Sequence, residues 1–68
     1  MYILTSLGEN RARKIVQTHE PEGAILDFLY RVKDPVDFDE IAEETQMDDA
    51  TAKRAMTRLV TKELVKEV

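Results

Sequence analysis

Apolar residues in this chain recur with helical spacing in four stretches and with strand-like character at both ends. The clearest stretch runs over about 22–33, where Ile25, Phe28, Leu29 and Val32 fall at i, i+3, i+4 and i+7 and so form one stripe on a helix. Lys33-Asp34-Pro35 ends it, because a residue before proline disfavours helical backbone. A second stripe, Ala52, Ala55, Met56, Leu59 and Val60, predicts a helix from about 49 to 62, with Asp48 as its N-cap and Met47 stapled onto Ala52. Between the two, Asp37-Phe38-Asp39-Glu40 reads as a capping box with Val36 and Ile41 as its staple. It predicts a short helix over 38–45 that buries Ile41, Ala42 and, at its end, Thr45. Upstream, Thr5 or Ser6 opens a helix through Glu9 to about Gln17, with Leu7, Ala12, Ile15 and Val16 on its inner side. Glu20-Pro21-Glu22-Gly23 breaks that helix and starts the next. Tyr2-Ile3-Leu4 and Leu64 to Val68 carry the β-branched and alternating character of short strands. The predicted order is strand, four helices, strand: a mostly helical α+β domain.

With 68 residues, one domain is the limit. A chain of this size buries only about 60% of its unfolded surface, so a disulfide, a metal or a partner commonly adds margin. The absence of cysteine excludes a disulfide framework, a thiolate zinc site and cysteine catalysis. No apolar run is long enough to cross a bilayer, and Met1-Tyr2-Ile3-Leu4-Thr5 has no secretory character, so the expected location is the cytoplasm.

The net charge of −4 argues against a generic polyanion binder, but the charge is unevenly spread. Residues 34–50 hold eight acids and no base, whereas 51–68 hold Lys53, Arg54, Arg58, Lys62 and Lys66 against Glu63 and Glu67. Helix-terminal preferences explain about half of this asymmetry. The remainder marks a basic C-terminal helix.

Residues 41–65 carry a more specific pattern. Ile41, Ala42, Met47, Asp48, Thr51, Ala52, Arg54, Ala55, Met56, Arg58, Leu59, Leu64 and Val65 match, without a gap, the helix-turn-helix of winged-helix regulators of the MarR, ArsR and Lrp type, which this segment resembles. Ile25 to Tyr30 and Val36 to Glu40 look like the first and the capped second helix of that fold, so the resemblance covers about two thirds of the chain. Gln46 and Glu63 stand where the family places turn glycines, the first at a position that often needs positive φ. The usual wing hairpin after the last helix has no counterpart before Val68. Tyr2-Ile3-Leu4-Thr5-Ser6-Leu7-Gly8, however, is similar to the Tyr-x-Leu-Thr-x-x-Gly with which a last wing strand often ends. The expectation is a permuted wing, with the opening strand returning to pair with 64–68. The Leu-Thr-x-x-Gly and later Pro-Glu succession is also similar, over few residues, to helical modules near the N-terminus of archaeal-type phenylalanyl-tRNA synthetase α subunits.

The resemblance implies that helix 49–62 is the recognition helix of a DNA-binding transcriptional regulator. Its outer face presents Ala50, Thr51, Lys53, Arg54, Thr57, Arg58, Thr61 and Lys62, with Arg11, Arg13 and Lys14 as a second basic group for backbone phosphates. Glu43, Glu44, Asp48 and Asp49 beside its start oppose phosphate and predict weak binding by a monomer, which a homodimer would offset. The alternative is a winged-helix protein–protein interaction module in a larger assembly, with no direct DNA contact.

Other chemistry finds little support. His19 is a lone histidine at a helix end, better read as a dipole-favoured terminal residue than as a base. Asp37, Asp39 and Glu40 do not make a calcium loop, since Ile41 stands where an oxygen ligand is needed and Ala42 where glycine is needed. Gly8 and Gly23 are isolated, so no phosphate-cradling loop is present. The acidic pairs have no cleft to work in. Tyr2, Tyr30 and Phe38 are not interleaved with bases as in a single-strand binder, and core packing is the better account. No enzyme activity, membrane association, metal, organic cofactor or small-molecule substrate is expected, and duplex DNA is the expected partner.

Overall fold

The computed structural model describes residues 1–14 and 20–68. Along the chain run β1 (Tyr2–Leu4), α1 (Ser6–Lys14), α2 (Pro21–Val32), α3 (Phe38–Glu44), α4 (Asp49–Thr61) and β2 (Val65–Glu67). The expected inward positions Ile15 and Val16, the far end of the first predicted helix and His19 lie outside the described residues. Each predicted element is present, and apart from the far end of the first helix the ends fall within a residue or two of expectation.

β1 and β2 pair antiparallel, with Tyr2 opposite Glu67, Ile3 opposite Lys66 and Leu4 opposite Val65. Tyr2 also bridges to Val36: each N–H donates to the other's carbonyl, at 2.8 and 2.9 Å. β1 therefore lies between the bridge before α3 and β2. Leu4 and Val65 turn their side chains into the core. A two-stranded ribbon is marginal alone, and here α1 and α2 pack on β1 and α4 on β2.

The core forms where α2 crosses its neighbours. Ile25, Ile41, Leu59 and Val65 are the largest fully buried side chains, one each from α2, α3, α4 and β2. Each contributes roughly 1.5–3 kcal/mol by leaving water. On α1 the buried positions are the small ones, Gly8 and Ala12. The expectation that Leu7 points inward is corrected: it is exposed, because α1 turns its smallest residues toward the chain entering β2.

Thr5 ties this junction together. Its hydroxyl accepts from Gly8 N–H at 3.0 Å, capping α1, and donates to the Glu63 carbonyl at 2.6 Å. Its own N–H donates to the Leu64 carbonyl at 3.0 Å. A Cβ on Gly8 would overlap that same Leu64 carbonyl oxygen. The Thr-x-x-Gly sequence thus has a local purpose: the threonine bonds to the incoming strand and the glycine lets it come close.

α3 and α4 end in the same motif. Gln46 N–H donates to Glu43 and Met47 N–H to Ala42; Glu63 N–H donates to Val60 and Leu64 N–H to Leu59. These paired bonds define Schellman caps. Gln46 (φ 57°) and Glu63 (φ 62°) adopt the left-handed backbone usually left to glycine. Lys33 does the same after α2, at φ 63°.

The capping box expected at α3 is corrected. Asp37 occupies the N-cap position with extended backbone, but its side chain takes no capping hydrogen bond. The Val36 bridge to Tyr2 and the burial of Val36 and Ile41 fix the entry into this helix instead. Thr45 is half-buried, and its hydroxyl donates to the Ile41 carbonyl at 2.6 Å. Val60, expected on the inner stripe of α4, is likewise corrected: it is 42% exposed.

Candidate nucleic-acid interface

α4 acquires its direction from its two faces. Ala52, Ala55, Met56 and Leu59 are buried at i, i+3, i+4 and i+7, while Ala50, Lys53, Arg54, Thr57, Arg58, Thr61 and Lys62 are exposed and Thr51 is half-buried. Ala50, Lys53, Arg54, Thr57 and Arg58 line one open hollow of about 460 Å³ on the outer surface. Five of the sequence-predicted positions, Thr51, Lys53, Arg54, Thr57 and Arg58, therefore lie together on or beside one face. Lys62 continues the row one turn beyond Arg58. Arg11, Arg13 and Lys14 are exposed on the last turn of α1, which packs on α2 and β1, and no described contact brings them to this hollow.

Asp48 sets the start of the helix. Its Oδ1 accepts from the Thr51 N–H at 2.9 Å. Hydrogen bonds from the Thr51 side chain first and its backbone second, with a smaller attraction from Arg54, hold the Asp48 carboxyl below its ordinary pKa. This acid caps the helix and stays ionised, and with Glu43, Glu44 and Asp49 it is exposed around the α3–α4 turn.

The hydroxyls on the outer face are also committed. Thr57 donates to the Lys53 carbonyl at 2.9 Å and Thr61 to the Thr57 carbonyl at 2.8 Å. A phosphate oxygen only accepts hydrogen bonds, so either threonine must release its donor before bonding one.

The basic residues fall into two groups. Arg58 Nη1 lies 3.6 Å from Glu22 Oε2, and Lys62 Nζ lies 2.8 Å from Glu22 Oε1. Among the described residues, Lys53 and Arg54 enter no ion pair. Sequence reasoning missed Glu22, since nothing local to Pro21-Glu22 signals a partner 36 and 40 residues away. Only its acidic character in the first turn of α2 was legible.

A second groove, of about 510 Å³, lies between the sheet and α4, lined by Tyr2, Phe38, Lys53, Met56, Thr57, Val60, Thr61 and Glu67. Tyr2, Tyr30 and Phe38 are half-buried against the core, and Lys33 Nζ stands 5.4 Å from the Tyr30 ring centre. Among the described residues, no group of three or more histidines and acids is placed to hold a metal ion, and no helix is long and apolar enough to cross a membrane. No protein-family model, curated protein or solved structure matches this chain.

Proposed function

We propose that this domain is a cytoplasmic DNA-binding module of winged-helix type, a transcriptional regulator that lays α4 in the major groove and acts as a homodimer or within a larger assembly. The observation that carries the reading is the row of Lys53, Arg54, Thr57 and Arg58 on the exposed side of α4, directly opposite its buried stripe. A helix with side chains is about 10–12 Å across and the major groove about 12 Å wide, so such a face can reach base edges. Arg54 and Lys53, in no ion pair among the described residues, are suited to guanine or phosphate. The antiparallel pairing of β1 with β2 supports the same reading, since it is the pairing that a permuted wing requires. The module has no catalytic role in this reading.

Titration with a duplex at low salt, followed by backbone amide shifts, tests it. Perturbations should centre on residues 50–58 and fade as salt rises. K53A and R54A should each flatten the dependence of log affinity on log salt by about 0.9. Perturbations absent from 50–58, or indifferent to salt, refute it. The groove between Tyr2, Phe38, Met56 and Val60 favours a second reading, a protein-contact module. That reading predicts shifts in the groove with a protein partner and little response to salt.

A further inference from the structure

The C-terminal half of the basic face on α4 already has an anion seated on it. Glu22 is the second residue of α2, after Pro21, and its side chain is 22% exposed, against 65% for Arg58 and 54% for Lys62. Its two carboxylate oxygens divide the work, Oε1 toward Lys62 and Oε2 toward Arg58. Pro21, Glu22, Thr51, Arg54, Ala55 and Arg58 line one notch of about 150 Å³, so Arg54 borders the same carboxylate. Lys53 does not line this notch; it borders the groove on the other edge of the helix and shares the outer hollow with Arg54 and Arg58.

We infer that Glu22 is a specificity-determining residue that competes with nucleic-acid phosphate for Arg58 and Lys62. The inference rests on the DNA-binding reading and deepens it. Non-specific affinity is chiefly the sum of phosphates neutralised. A phosphate reaching Arg58 or Lys62 must displace a carboxylate that stays fixed beside it on α2, so the step exchanges one ion pair for another. Lys53, on the other edge of the helix, meets no such competitor among the described residues. Glu22 therefore lowers binding to any duplex while leaving contacts by Lys53 in place, and the ratio of specific to non-specific affinity rises.

The test is fluorescence anisotropy with a random-sequence duplex between 50 and 200 mM salt, comparing wild type with E22Q. E22Q should bind about 3- to 10-fold tighter at 50 mM, as expected from removing two exposed ion pairs. Its salt dependence should steepen by about 0.9 for each cation released to phosphate. In an R58Q/K62Q background the same substitution should change affinity less than two-fold. Unchanged or weaker binding by E22Q overturns the inference, and so does an equal gain in the R58Q/K62Q background, which would reduce the effect to net charge. Should E22Q fail to fold, E22A decides in the same two backgrounds: it should bind several-fold tighter than wild type and gain less than two-fold with R58Q/K62Q, and equal gains would overturn the inference. A wild type that binds the duplex while E22Q gains nothing sinks this inference alone. Failure of every variant to bind at 50 mM salt removes the DNA-binding reading and this inference with it.

Discussion

Replacing Gly8 with alanine sets two physical effects against each other. Gly8 is inside α1, where alanine is the better helix former by about 1 kcal/mol. Propensity alone therefore predicts a more stable protein. The new Cβ, however, would overlap the Leu64 carbonyl oxygen, and would lie 2.9 Å from the Leu64 carbonyl carbon and 3.2 Å from Leu4 Cδ2. Leu64 belongs to the backbone entering β2 and cannot swing aside as a side chain does. Relieving the overlap moves α1 away from it, at an overpacking cost of about 1–3 kcal/mol. The move also strains the bonds from Thr5 to the Leu64 and Glu63 carbonyls, each worth about 0.5–1.5 kcal/mol. The net expectation is a loss of about 2–3 kcal/mol, from a total of roughly 3–10 for a chain of this length. The corresponding drop in Tm is about 10–20 °C. Urea and thermal denaturation read it directly. N10A, at an exposed position of the same helix, is the control and should stabilise slightly through propensity alone. A G8A protein as stable as the wild type would refute the close approach of α1 to β2.

Three further outcomes follow from the same geometry. Q46G and E63G should each raise stability by about 0.5–1 kcal/mol in denaturant melts, since left-handed backbone costs a side-chain-bearing residue about 1–2 kcal/mol and glycine's extra unfolded freedom returns part of it. L59A should cost about 2–5 kcal/mol, whereas V60K should stay within about 0.5 kcal/mol of wild type, and a large loss at Val60 would contradict its exposure. For Asp48 the folded-state pKa is lowered, so as acid is added the unfolded chain takes up the proton first; the contribution of the cap is complete above about pH 4 and is lost as pH falls through the lower folded value. D48N, which keeps a capping side chain, should remove that acid-range slope while preserving stability at neutral pH; D48A should lower the neutral-pH melt as well.

The sequence made the long-period features legible and hid those that depend on distant contacts. Ala52, Ala55, Met56 and Leu59 oriented α4 because four residues at helical spacing outweigh any one, and Asp48 is a cap recognisable from its neighbours. Val60 misled because it sits about 90° from the centre of that stripe at 100° per residue, beyond what the short sheet covers. Leu7 misled because apolar spacing groups it with Ala12, whereas α1 comes close to its neighbours by turning Gly8 and Ala12 inward. Asp37 carried the letters of a capping box, yet the Tyr2–Val36 bridge had already fixed the local backbone. At the basic face, the row of cations was plain from Lys53 to Lys62. The hold of Glu22 on Arg58 and Lys62 was not, because Glu22 arrives from another helix.

The pairing of β1 with β2 brings Met1 and Val68 side by side, with Val68 N–H donating to the Met1 carbonyl at 2.8 Å. Adjacent strands run about 5 Å apart. A polypeptide entering at one end and leaving at the other thus does so through a gap no wider than a tight turn. Grafted into a surface loop of an unrelated host, this domain would sit as a cassette on a single stalk, with the host's own backbone left almost undisturbed.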